Sequence, residues 1–479
     1  MQRKFLSNLI FVLFLNLLIK PFWILGIDRT VQNTVGEYEY GFYYPLFSFT
    51  ILFNILLDFG ITNYNNRNIA QHGHMLKRYF SGIFNVKLVL GFVYLLVTII
   101  AGLIIGYDSK ELQLLFILCI NQFLSSLILY LRSNLAGLLH FKSDGLLSIL
   151  DRVIMIGICG VLLWGNVVGE FQIEWFVYAQ LIAYLLTAIV GFLLVYREVK
   201  FFKVRVDYKL FRIVLKESLP FALLVLLMSF YYRLDSIMIK GLLDNGRFEA
   251  GIYAKSYRLL EGFNMFGYLF AGLLLPLFSR MLKEKKSIKK LVNLSFNLIF
   301  LPSIAVAVIS WIYATEIMEL LYYENITQSA KVYGVLMFSF IAIALTYVYG
   351  TLLTANGSLK QLNIISLIGL GLNLVLNYLM IPKYGAYGAA VATLFTQIVV
   401  VVSQIIIAKK ILQMGYTFSV FAKNGFVILL AISFSLYISQ FIKHWIVSSL
   451  LILVLFIILA VLFRIFNFSD FKKLLKNRS

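Results

Sequence analysis

Charge is what this sequence has least of. Asp, Glu, Lys and Arg make up 13% of its 479 residues, whereas 61% are hydrophobic. That balance excludes an array of water-soluble domains and is the composition of a polytopic membrane protein. Cysteine is nearly absent: Cys119 and Cys159 are the only two, and both sit inside apolar runs. A disulfide framework and a cysteine-based metal site are therefore excluded. Histidine is also scarce, with four residues. Two of them form His72-Gly-His74, fewer ligands than a zinc site needs. No Walker-type glycine loop is present, so direct use of ATP is not expected. The longest outer loop, near 314–331, holds Glu316, Glu319 and Glu324 without a His or Cys beside them. No catalytic constellation emerges. The chain does not read as an enzyme, and it implies no cofactor and no metal.

What the sequence has in quantity is apolar length. A bilayer core of about 30 Å takes ~20 apolar residues per helix. That window predicts about fourteen spans: 6–26, 42–62, 80–106, 112–139, 146–165, 174–196, 213–239, 251–279, 291–313, 332–355, 361–381, 386–408, 420–441 and 445–466. The opening stretch has the basic start and apolar run of a signal peptide but no small-residue cleavage site, so it reads as an uncleaved first helix. Pro276 and Pro302 fall inside spans and predict kinks. Asn325-Ile-Thr327 matches a glycosylation sequon in an outer loop, a pattern common by chance.

Basic residues outnumber acidic ones 42 to 22. The surplus sits in short loops between apolar runs, which argues against nucleic acid as a partner. With the N-terminus in the cytoplasm, the loops on that side hold 28 of the 42 basic residues and the outer loops hold seven. The positive-inside bias then places both termini in the cytoplasm, which requires an even number of spans.

Gly41-Phe-Tyr-Tyr opens the second span and Gly251-Ile-Tyr-Ala the eighth, 210 residues apart; His140 and Asn356, each just before a similar run, lie 216 apart. The two offsets predict an internal repeat of six spans in one orientation, the parallel-repeat class of transporter, with substrate bound between the halves. The expected organisation is a lobe over 1–196, a basic cytoplasmic linker over 197–212, and a second lobe over 213–412. Two extra spans and a basic tail fill 413–479.

Six charges, Arg233, Asp235, Lys240, Lys255, Arg258 and Glu261, fall on two successive apolar segments. A charge at the bilayer centre costs roughly 2.5–3.5 kcal/mol, so these side chains are expected to face one another or a water-filled cavity. In the first half, the charges in or bordering spans are Lys20, Asp58, Arg67, Lys87, Arg132, Asp151 and Arg152. Cations are in excess. A cavity of that sign suits a substrate with fixed negative charge such as a diphosphate, which Arg grips in a bidentate fashion. The candidate substrate-binding set is Lys20, Lys87, Arg132, Arg152, Arg233, Lys255 and Arg258. Asp58, Asp151, Asp235 and Glu261 are candidate charge partners or carriers of a coupling H⁺ or Na⁺. Structural pairing is the competing reading, strongest for Asp58 near a helix end. Arg233, Lys255 and Arg258 are expected deep in their spans. Asp151 and Arg152 are sequence neighbours that do not face each other on a helix, so each is expected to have another partner.

Residues 377–393, NYLMIPKYGAYGAAVAT, resemble the signature of the polysaccharide flippase family, N-x-x-x-I-P-x-x-G-x-x-G-A-A-x-A-T. Pro382 and Gly385 predict a tight outer turn, and Gly388, Ala389, Ala390 and Ala392 allow close helix packing. The stretches 36–70 and 234–261 are similar to the family as well. The resemblance implies the fold of the multidrug/oligosaccharidyl-lipid/polysaccharide exporter superfamily. That fold is all-helical, with two six-helix lobes around a central cationic cavity and two C-terminal helices. It further implies a flippase for undecaprenyl-diphosphate-linked oligosaccharide repeat units of O-antigen or capsule. Such a protein sits in the bacterial inner membrane among its lipids, beside a polysaccharide polymerase and a chain-length regulator. The alternatives are a peptidoglycan lipid-precursor flippase, a cation-coupled drug exporter of the same superfamily, and a membrane polysaccharide polymerase. The basic surplus argues against the exporter of cationic drugs.

Overall fold

The computed structural model describes residues 16, 18–62, 65, 69, 75–138, 140–165, 167, 169–200, 208–413, 418–442 and 444–463. Most of the first half of span one, Arg67, the His72 and His74 pair, residues 201–207 of the linker and the tail from Arg464 lie outside them. Among the described residues the secondary structure is helical throughout. That follows from the solvent: in hydrocarbon a backbone must satisfy its own N–H and C=O groups, and a helix does so within one segment. Two compact units divide between Ala254 and Lys255.

In the first unit, helical residues 18–22 lead into a π-helical turn, Trp23–Asp28. It continues through α1 (Arg29–Leu52), α2 (Ile55–Asp58), α3 (Met75–Ile105), α4 (Ser109–Gly137), α5 (Phe141–Trp164), α6 (Ile173–Val199) and α7 (Tyr208–Leu242) into the start of α8 (Gly246–Lys283). α1 bends sharply at Gly36, whose φ of 76° suits glycine. The first and second spans therefore meet at a turn there. The second span, expected to be unbroken over 42–62, is interrupted twice. Phe53 ends α1, and Phe59 takes a left-handed conformation with φ 43° after the single turn of α2. Behind these breaks α3, α4 and α6 close an apolar core around Phe80, Tyr130, Leu131 and Val195. The Phe80 and Tyr130 rings stack at 6.1 Å, and the Tyr130 hydroxyl donates to the Phe80 carbonyl at 3.0 Å.

The repeat becomes physical where α1 crosses α8. A Cβ on Gly41 would fall on the Arg247 carbonyl, and a Cβ on Gly251 would fall on the Glu37 carbonyl. The offset of 210 maps 37 onto 247 and 41 onto 251, so the contact is reciprocal. It is the self-complementary form that a two-fold axis imposes. The matching sequence is longer than its most obvious core. Gly36, Glu39, Gly41 and Tyr43 correspond to Gly246, Glu249, Gly251 and Tyr253.

The second unit holds the rest of α8, then α9 (Lys289–Ile312), α10 (Ala314–Leu321), α11 (Ile326–Ala355), α12 (Leu359–Ile411), α13 (Phe418–Phe441) and α14 (Trp445–Leu462). A core of Leu301, Ile304, Val308, Ile452 and Phe456 joins α9 to α14, and the Tyr313 and Ser448 hydroxyls hydrogen-bond beside it. Among the described residues, nine helices are long and apolar enough to cross a membrane. One of them, α12, crosses twice. Its 53 residues would extend about 80 Å if straight, but the backbone reverses at Gly385 (φ 57°, ψ −138°). Gly388 consequently packs on the Met380 carbonyl, a contact that only a hairpin permits. This is the turn that the Pro382–Gly385 signature predicts. With the two shorter apolar helices α13 and α14 this gives twelve crossings; of the other two predicted spans, 42–62 falls on α1 and α2, and most of 6–26 lies outside the described residues.

Orientation is open to a direct check. In a cysteine-free background, Asn245→Cys in the α7–α8 turn is expected to label from outside intact cells. Ser287→Cys, between α8 and α9, is expected to label only after permeabilisation. Outside labelling of Ser287→Cys would overturn the charge-based orientation.

Candidate functional site

Inside the first unit the structure gathers three of the predicted cations. Lys20 lies within electrostatic reach of Arg152, Arg132 and Asp151. The Arg152 guanidinium sits over the Trp23 ring at 5.3 Å and the Tyr184 ring at 5.9 Å, a cation–π arrangement that holds it between the first span and α6. Arg132, at the end of α4, donates through Nε to the Asp144 carboxylate at 2.8 Å. Asp144 was not among the sequence candidates. Asp151 and Arg152 depart from expectation: their side chains approach to 3.8 Å. The Asp151 carboxylate turns back to accept the Arg152 amide at 2.8 Å, and that local bond brings adjacent residues together. Three cations against two carboxylates leave the group positive.

Lys87 and Asp58 form a different kind of pair. Lys87 is 1% exposed and is ion-paired to Asp58. It also donates to the Leu57 carbonyl at 2.9 Å and to Ser126 Oγ at 3.1 Å. These bonds use the three donors an ammonium has. The Asp58 carboxylate accepts from the Thr62 hydroxyl at 2.5 Å. The break after α2 strips the Leu57 carbonyl of a helical donor, and Lys87 supplies one. The geometry gives both residues a structural task, so neither is carried forward as a substrate or coupling residue.

On α7, the Arg233 guanidinium lies 3.4 Å from the Tyr44 hydroxyl and over the Phe47 ring at 5.8 Å. Asp235, 1% exposed, accepts from the Tyr253 hydroxyl at 2.5 Å. A second buried carboxylate, missed because the first span was expected to end at 26, is Asp28. It accepts from Tyr40 at 3.0 Å and Gln32 at 3.1 Å. An aspartate from the first span and one from α7 are thus each bonded to a tyrosine near the paired glycines.

Also unforeseen is an ionic group at the predicted outer face of the first unit. Asp108 and Glu111 form a capping box at the start of α4. Glu111 then binds Lys240 at 2.6 Å and Arg247 at 3.1 Å. The Lys240 ammonium sits over the Tyr107 ring at 4.1 Å. The Glu111 amide holds the Asp108 carboxyl below the usual carboxylate range, and Arg247 and Lys240 add to that effect. The D-x-x-E spacing was the available sequence signal.

In the second unit, Lys255 is 3% exposed and donates to the Glu324 carbonyl at 3.2 Å, with the Tyr322 ring 5.1 Å away. It therefore meets the connection between α10 and α11 instead of a mid-span surface, which corrects its expected depth. α8 runs for 38 residues, about 57 Å, so nine residues of helix before Lys255 do not bring it to the membrane centre. Arg258 pairs with Glu261 at 2.9 Å. Among the described residues, no cluster of three or more His, Cys, Asp or Glu is placed to hold a metal ion, and both cysteines are free and buried.

Solved structures share this fold. A lipid II flippase, MurJ, in an inward closed conformation superposes with a TM-score of 0.73 over 96% of this chain and 98% of that one, at 16% identity. An inward-facing multidrug resistance MATE family transporter gives 0.63 over 83% and 94%, at 14% identity. A Pyrococcus furiosus transporter, described as having a binding pocket of reverse polarity, gives 0.60 over 86% and 96%, also at 14%. The fold is that of the exporter superfamily, a class of multi-pass membrane flippases and transporters. The chain belongs to the polysaccharide biosynthesis protein family, whose model matches residues 5–282, and a MatE model matches residues 220–379. Two membrane proteins of Methanocaldococcus jannaschii are also similar. MJ1375 is 29% identical over 57% of this chain and 66% of its own length; MJ1068 is 27% identical over 43% and 40%. The chain thus spans two thirds or less of the length of these relatives.

Proposed function

We propose that this chain flips polyprenyl-diphosphate-linked oligosaccharide units, undecaprenyl-linked in a bacterium, from the inner to the outer leaflet of the cytoplasmic membrane. The observation that carries the reading is the positive group of Lys20, Arg132 and Arg152, in which the Arg152 guanidinium lies over the Trp23 and Tyr184 rings. Guanidinium forks match phosphate oxygens, and aromatic faces suit sugar rings as well as cations. Arg233 in the first unit and Arg258 in the second are each proposed as further cationic contacts for the cargo, and the lobes over 1–196 and 213–412 are proposed to alternate in access. Asp235 and Glu261 are the proposed sites for a coupling proton or Na⁺. O-antigen and capsule units are the proposed cargo class, and both termini are placed in the cytoplasm.

The test is flipping in proteoliposomes. Three cargoes are compared: a polyprenyl-diphosphate oligosaccharide, a peptidoglycan lipid precursor and a cationic dye. The first is expected to move and the dye is not. A charge-assisted hydrogen bond contributes about 1.5–3 kcal/mol, so Arg152→Ala or Arg258→Ala should slow flipping by about 10–100-fold. Protein abundance should stay unchanged. Preference for the peptidoglycan precursor would move the assignment to that flippase class, and dye transport alone would overturn it.

A further inference from the structure

The interior of the second unit contains buried polar atoms without hydrogen-bond partners. Ser339 Oγ and Thr346 Oγ1 on α11 are unpartnered, as are both carboxamide atoms of Gln397 and the Oε1 of Gln404 on α12. Each of the four residues is at least nine-tenths buried: Ser339 and Gln397 are 0% exposed, Gln404 is 3% and Thr346 is 7%. Native interiors leave few such atoms unpaired, and those that remain mark sites of bound water or ions.

Their placement is regular. A Cβ built on Gly350 would lie 3.4 Å from Gln404 Oε1 and 3.5 Å from Thr346 Cγ2, so these three residues share one level. The missing side chain of Gly350 leaves room of about methyl size against the Gln404 carboxamide. α11 and the second half of α12 run in the same direction across the membrane. Seven residues earlier in each helix, two turns away, stand Ser339 and Gln397. The two polar levels are separated by an apolar layer of buried Val400, Val401, Ala342 and Ile343.

We propose that α11 and α12 enclose two stacked hydration sites, one at Thr346, Gly350 and Gln404 and one at Ser339 and Gln397. The ligand is water. No Asp, Glu, Lys or Arg occurs in 332–355 or 386–408, so neither level offers a countercharge to an ion. Gln397 brings an unpartnered donor and acceptor to its level, and Gln404 an unpartnered acceptor beside the Thr346 hydroxyl, which can do either; both combinations suit a molecule that gives and takes hydrogen bonds. A bound water typically makes about three such bonds, the number that a hydroxyl and a carboxamide can supply together. The inference is independent of what the protein carries.

Cysteine chemistry tests it in the full chain. With Cys119 and Cys159 replaced by Ala, single variants Ser339→Cys and Thr346→Cys are compared with Ala344→Cys and Ala392→Cys. The two control positions are buried and lie on other helix faces. The reagent, 2-aminoethyl methanethiosulfonate, reacts with the thiolate, which forms only where water solvates it. Labelling at the two polar positions is expected to be about tenfold faster or more. Equal rates at all four positions would overturn the proposal. Should the variants fail to accumulate, water-edited solid-state NMR of glutamine-labelled wild-type protein in bilayers decides the matter. Water magnetisation should reach the Gln397 and Gln404 carboxamides, identified by loss of signal in Gln397→Met and Gln404→Met. No transfer to either would also overturn it.

Discussion

Gly41→Ala is expected to remove the folded protein from the membrane. The added Cβ would occupy the position of the Arg247 carbonyl, and the obstacle is backbone, which has no rotamer to change. The helices would have to separate along the whole crossing and lose the close approach that small residues allow in membrane helix pairs. Overpacking by a methyl against side chains costs about 1–3 kcal/mol; against backbone the cost lies at or above the top of that range. Gly251→Ala should behave the same way through the Glu37 carbonyl. The double variant should add little to either, because one separation accommodates both. Gly157→Ala and Gly371→Ala, which meet nothing within 4 Å, serve as controls. They should accumulate normally or gain up to about 1 kcal/mol from helix propensity. Fluorescence-detected size exclusion of membrane extracts reads all five proteins. A monodisperse Gly41→Ala at wild-type level would refute the crossing.

Asp58→Asn is expected to be the most damaging of the charge-neutralising substitutions. It leaves the Lys87 ammonium, 1% exposed, with amide and carbonyl oxygens but no counter-ion. Removing one member of a buried pair costs about 3–5 kcal/mol, whereas removing both often costs little. Asp58 is itself 29% exposed, so solvent screening pulls the expected loss toward the lower end. Asp58→Asn with Lys87→Met should recover part of it. Recovery stops short of wild type because the Leu57 carbonyl loses its donor as well. Denaturant unfolding in detergent of the two singles and the double gives the coupling energy. If Asp58→Asn unfolds like wild type but no longer transports, the carboxylate serves the cargo and its structural role is refuted.

The spans were legible because their signal is redundant: twenty apolar residues say the same thing twenty times. The α12 hairpin was legible for a different reason, since Pro382 and Gly385 are backbone instructions. The Lys87–Asp58 pair could not be placed, because the breaks at Phe53 and Phe59 have no proline to announce them. Without the break there is no orphan Leu57 carbonyl and no reason for the ammonium to turn toward it. Asp28 was lost to a boundary. The π-helical turn carries helix past 26, where apolar content alone had ended the span. Lys255 was misplaced in depth because its partner is a backbone carbonyl, that of Glu324 between α10 and α11, which no side-chain pattern announces. Of the candidate site, the sequence supplied the cations and their sign. It did not supply the rings over Arg152, which come from Trp23 and Tyr184, distant in the chain, or the Asp144 partner of Arg132, which the turn into the next helix brings back against it.

The glycine crossing also bears on the origin of the chain. Two identical halves meeting on a two-fold axis must present the same residue at equivalent positions, so a half-length ancestor acting as a homodimer would have set like against like at the places now numbered 37 and 247. Those places hold Glu37 and Arg247, while the backbone contact they make with Gly251 and Gly41 is still the same in both directions. Fusion into one gene releases the side chains from that identity but not the backbone. Opposite charges at two places that a dimer of identical chains would have to fill alike are a combination open to the joined sequence.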